Sequence, residues 1–129
     1  MLQNAQLWIS VSNREESMAR VLSRANFHEG TVLHAHRAAS SLLIAILEEN
    51  GWAHVSDRCA DLCGALAAHD IAVAADAARA AEALDGQVSN LNLDSAGGAP
   101  ALNCDAKVAA QSLDCVKLIR SFATTVLST

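Results

Sequence analysis

Tyrosine is absent from this chain of 129 residues, and phenylalanine and tryptophan occur only twice each. A core so short of rings must be built from Ala, Leu, Val and Ile, within a composition that is 52% hydrophobic. Close-packed helices suit those residues better than a sheet, which favours β-branched and aromatic side chains. One proline and six glycines leave room for few turns, so long elements with short connections are expected. The length suits one domain, residues 1–129, with a single hydrophobic core.

Other absences narrow the setting. No run of 18 apolar residues occurs, so no transmembrane helix and no membrane partner are expected. The opening MLQNAQLWIS has no basic segment followed by an apolar one, unlike a signal peptide. A cytoplasmic protein is expected, with its four cysteines as thiols. Basic charge in bulk is missing too: the formal net charge is -5, which excludes polyanion binding over a broad face. The acidity is concentrated in residues 51–103, where Arg58 and Arg79 stand against seven acids.

What is present reads as five helical segments in an all-α antiparallel bundle. The first covers about residues 3–24, with Leu7, Trp8, Val11, Met18, Val21 and Leu22 as its apolar face. Asn13 and the REES run interrupt that face and suggest a bend or a wet flank. RANFHEG forms a link to the second helix, about Thr31 to Asn50. There Val32, Ala35, Ala39, Leu42, Leu43 and Ile46 make one broad apolar face, and Gly51 supplies a left-handed stop. The third helix is expected from an N-cap at Ser56 to about Ala68, and the fourth from about Asp70 to Asn90. NLDSAGGAP is a loop, and the fifth helix follows from about Cys104 to Leu127. Its seam is Val108, Gln111, Cys115, Leu118, Phe122 and Thr125 or Val126.

Candidate chemistry is sparse. His34 and His36 are two residues apart, about 200° around a helix, so they cannot share a metal. Ordinary structural histidines are expected, one against a neighbouring helix and the other in solvent. Cys59 and Cys63 share a helix face, but the tight Cys-x-x-Cys pairs of structural zinc are missing; buried thiols fit better. No metal and no cofactor is expected. SAGGAP lacks the lysine and hydroxyl of a phosphate loop, and no G-x-S-x-G occurs. Glu15-Glu16 and Glu48-Glu49 diverge by about 100° and read as solvated faces.

The order of features resembles the HEPN family, small helical proteins named for nucleotide binding in prokaryotes and higher eukaryotes. Trp8, Val21-Leu22 and NFHEG look like the family's first helix and link. HAHRAASSLLIAIL, residues 34–47, is similar to its H-A-Q-Q-A-A-E-K-A-L-K-A-L-L helix, and Gly51 and His54 to the segment after it. LNLDSAGGAP falls on the family's R-Y-P-D loop. Departures accompany these matches. The family's glutamate and lysine fall on Ser40 and Ser41, its loop arginine and tyrosine on Leu91 and Asn92, and only Asp94 is kept. Many relatives are ribonucleases with an arginine, four to six residues, then a histidine. No arginine here has that spacing; Arg24 and His28 come nearest, in a different element.

The resemblance therefore implies a HEPN-like protein without the nuclease site: a binding or regulatory module, with a nucleotide or RNA as ligand. It also implies a homodimer and a small nucleotidyltransferase partner. The other readings are a metal-independent ribonuclease toxin of a toxin–antitoxin pair with a displaced site, and a scaffold with no ligand. His34, His36 and Arg37, then Arg24 and His28, are the expected ligand contacts, because they can donate to phosphate or carboxylate.

Overall fold

The computed structural model describes residues 1–91 and 104–128. Five helices carry the described chain, which has no strand: α1 (Gln3–Arg24), α2 (His28–Glu49), α3 (Cys59–Ala68), α4 (Ala75–Ser89) and α5 (Ala106–Leu127). The NLDSAGGAP loop, with Asn92 and Asp94, lies outside the described residues.

Helix α2 is the axis of the bundle and packs against each of the other four helices. Every residue from Ala38 to Leu47 is buried. The expected face of Val32, Ala35, Ala39, Leu42, Leu43 and Ile46 is no more than 2% exposed throughout. Alanines on the remaining sides let neighbouring backbones come close, which is how one helix can be covered all round. By length and composition α2 is apolar enough to cross a membrane, with a mean hydropathy of 1.2 over 18 residues; 72% of that window is buried by the other helices.

Three helices stop in the same way. After α1, α2 and α3 the chain turns through a left-handed residue: Asn26 at φ 64°, Gly51 at 70° and Asp70 at 63°. The next amide reaches back to the last turn, as in Trp52 N to Leu47 O at 2.9 Å. Glycine takes this conformation without penalty, and Asn and Asp tolerate it. Asp70 thus closes α3 instead of opening the fourth helix, which begins only at Ala75. The first link is likewise shorter than expected, because His28, Glu29 and Gly30 already belong to α2.

Two seams face differently from their expected directions. Helix α1 runs unbroken and buries Ala5, Ser12 and Ala19, while Leu7, Val11, Met18 and Val21 remain exposed. Small residues allow a closer approach to α2 than the large ones, and the Ser12 hydroxyl donates to Ala38 O at 2.7 Å across that contact. On α5 the buried line is Ala109, Ser112, Val116, Ile119, Phe122 and Ala123. Of the expected seam only Phe122 is buried; Gln111 and Leu118 are exposed. Glu16 ties α1 to α5 by accepting from Arg120, whose guanidinium also reaches Asn13 and Ser12.

Candidate functional site

The site is built around the first half of α2. His36 and His34 do diverge, yet neither is left to solvent. His34 Nδ1 lies against Glu15 Oε2 on α1, and His36 Nε2 is 2.7 Å from Asp85 Oδ1 on α4. Glu15 is therefore an inward partner, as is Glu16, and the expectation that both are solvated does not hold. The helix crossing at this point brings each carboxylate within reach of a donor that sequence neighbours could not supply.

Asp85 is the centre of the arrangement and is 6% exposed. Its Oδ1 accepts from the Cys59 amide at 2.9 Å and its Oδ2 from the Ala60 amide at 2.8 Å. Those amides open α3, where no cap comes from the flanking residue Arg58. The carboxylate of α4 thus caps α3 from across the bundle, at the end where a negative charge is favoured by the helix dipole. Burial pushes the Asp85 carboxyl up, but the Ala60 amide, the His36 ring and the Cys59 amide outweigh it. The group is held below its ordinary value of 3.8. Ser56, the expected N-cap, instead accepts from Arg58 N and donates to Asp61.

Two further polar groups beside this network, Ser40 and Cys59, are committed as well. Ser40 Oγ lies 2.8 Å from Asp57 O and 2.9 Å from His36 O, and ties the α2–α3 connection to α2. Cys59 Sγ is 3.5 Å from the same hydroxyl. Burial pushes the Cys59 thiol up to about 12 and the Cys63 thiol up to about 11, so neither is a thiolate nucleophile at neutral pH. The donor atoms of His36, Cys59 and Asp85 lie within 4.8 Å of one another, a spacing that a metal could bridge. A cation there would replace the hydrogen bond between His36 and Asp85, whose two oxygens also accept the α3 amides. We read the trio as a hydrogen-bonded staple joining α2, α3 and α4.

Two clefts open on either side of Arg37, and both are also lined by His36 and Asp57. One has apolar walls from Trp8, Val11 and Ile44, with Ser40 and Ser41 at its side. The other, of about 330 Å³, adds Arg58, Asp85 and Ser89. Arg37 and Arg58 are exposed, and neither guanidinium pairs with any described residue. The same cleft also holds the carboxylates of Asp57 and Asp85, of which Asp85 is engaged by the α3 amides and His36.

Of the residues expected as ligand contacts, the structure brings His36 and Arg37 together at the clefts. His34 points instead to α1, where it lines a separate apolar hollow with Met18 and Val21. Arg24 ends α1 and His28 begins α2, and neither lines the Arg37 clefts. His28 Nδ1 is buried without a partner among the described residues. Arg58, Trp8, Asp57 and Asp85 were missed as site residues. For Asp85 a signal existed: an acid one turn after Ala81 on the buried line of α4. Leu91, at the position of the family's loop arginine, is 4% exposed and packs with Val32 and Cys104 in a small second core.

The helices and their order define a HEPN-like, all-α fold. The chain is similar over 97% of its length to the crystal structure of TT1696 from Thermus thermophilus, at 20% identity, 99% coverage of that chain and a TM-score of 0.86. It is similar over the same share to ST0689, an archaeal HEPN homologue, at 17% identity, 99% coverage of that chain and a TM-score of 0.76. At such identities the likeness is one of fold. No protein-family model and no curated protein matches the sequence.

Proposed function

We propose that this HEPN-like protein is a non-catalytic binding module, and that a nucleotide is its ligand, held at the clefts beside Arg37. The observation that carries the reading is the pairing pattern. His34, Ser40 and Asp85 are already satisfied by neighbouring elements, whereas Arg37 and Arg58 line one cleft without ion-pair partners among the described residues. Guanidinium groups so placed suit phosphate oxygens, which they can grip with two parallel hydrogen bonds. The apolar wall with Trp8 on the other side of Arg37 offers a surface for a base. The test is calorimetric titration of the protein with ATP and AMP, repeated with Arg37→Ala and Arg58→Ala. Saturable binding weakened by about tenfold or more in each variant is expected. Binding untouched by both substitutions discards this site. A homodimer and a nucleotidyltransferase partner belong to the same proposal, and co-expression followed by size exclusion tests them.

One observation favours a second reading, a ribonuclease with a displaced site. The His36 ring is oriented by a carboxylate and stands next to Arg37, an arrangement suited to proton transfer beside a phosphate. Incubation with mixed RNA in the presence of a chelator decides between the two. No cleavage is expected from the binding module, whereas cleavage lost in both His36→Ala and Arg37→Ala would establish the nuclease.

A further inference from the structure

Helix α1 packs on α2 and touches α5, yet four of its large apolar side chains stay exposed. Leu7 is 56% exposed, Val11 42%, Met18 40% and Val21 60%. At 100° per residue these four fall within an arc of about 80°, roughly opposite the buried Ala5, Ser12 and Ala19. The steps from 7 to 11, 14, 18 and 21 alternate four and three, which is the spacing of a helix-to-helix seam. An apolar hollow lined by Met18, Val21 and Leu22 opens beside it. One side of α1 therefore packs on α2 and α5, and a second face of helical pitch is left uncovered by the described residues.

The middle position of that seam is Arg14, which is exposed and pairs with no described residue. Arg24 stands one turn beyond Val21 and is also exposed. Helix α1 has no carboxylate to answer them. Its two acids are only partly exposed, Glu15 against His34 and Glu16 against Arg20 and Arg120. A symmetric pairing of α1 with its own copy would thus bring guanidinium groups together with no counter-charge from either helix. We propose that the seam docks an amphipathic helix of another protein, whose apolar ridge carries a carboxylate facing Arg14. Apolar contacts with Leu7, Val11, Met18 and Val21 hold it, and the Arg14 pair sets its register and direction.

The experiment uses a fluorescent designed peptide of about five helical turns. It has leucines at seam spacing and glutamate at the position opposite Arg14; a second version has lysine there. Fluorescence anisotropy is measured against the wild-type chain, Arg14→Glu and Val21→Glu, with circular dichroism confirming that each surface variant folds. The glutamate peptide is expected to bind wild type and to lose about tenfold or more on Arg14→Glu. The lysine peptide should show the reverse preference, and Val21→Glu should weaken both. No saturable binding, or binding indifferent to Arg14, overturns the proposal. So does a dimer seen by sedimentation that Val21→Glu and Met18→Glu dissociate, because a second copy then covers the seam. Co-sedimentation with phosphatidylserine vesicles through the same residues also overturns it, by assigning the face to a lipid surface.

Discussion

Replacing Asp85 by alanine tests the staple most directly. The substitution removes an acceptor from three donors at once: the Cys59 amide, the Ala60 amide and the His36 ring. Hydrogen bonds to a charged group contribute about 1.5–3 kcal/mol each, and a buried donor left without a partner costs about 1–3 kcal/mol. Members of one network do not add, so a loss of about 3–5 kcal/mol is expected, as for other broken buried pairs. That is a large share of the roughly 5–15 kcal/mol that holds a domain folded. Urea unfolding at pH 7 reads it: with a slope of about 1–3 kcal/mol per molar, the midpoint should fall by about 2 M. His36→Ala leaves both amides paired and should cost about 1–2 kcal/mol. Asp85→Asn keeps one accepting oxygen and should lie between the two. A loss below about 1 kcal/mol in Asp85→Ala, or one equal to that of His36→Ala, would refute the idea that α4 caps α3.

Acid should act through the same carboxyl. Because Asp85 titrates below 3.8 in the folded chain, its contribution is complete above that value and is lost as pH falls through the folded one. Urea midpoints followed from pH 6 to pH 2 should therefore drop less steeply in Asp85→Asn than in wild type; equal slopes contradict the assignment. Gly51→Ala meets no atom within 4 Å but keeps a φ of +70°, so it should cost about 1–2 kcal/mol from backbone conformation alone. A neutral result in thermal unfolding would mean that the turn rearranges. The purified protein should hold no stoichiometric zinc by mass spectrometry under native conditions; zinc that disappears in both Cys59→Ser and His36→Ala would replace the hydrogen-bonded staple with a metal site.

Much of the architecture was legible in the residues themselves. Few rings, abundant alanine and periods near 3.6 define helices, and α2 follows its expected face because ten consecutive positions from Ala38 to Leu47 are small or apolar and need no choice of direction. Gly51 marked the end of α2 because no other residue type takes that backbone so cheaply. Direction was another matter. A hydrophobic period says that a helix has an apolar face, not which of two candidate faces meets the core. On α1 close approach through Ala5, Ser12 and Ala19 won over Leu7, Val11, Met18 and Val21. On α5 the buried line runs instead through Ala109, Ser112, Val116, Ile119 and Phe122. Asp70 was ambiguous because a short carboxylate side chain suits both a helix start and a left-handed stop. His36 and Arg37 could be picked out as polar residues heading an apolar helix. Asp85 could not be joined to them, since its partners lie 49, 26 and 25 residues away. Only the packing of α4 against α2 and α3 brings that carboxylate to the two amides and the ring, because a buried charge persists where several donors converge on it.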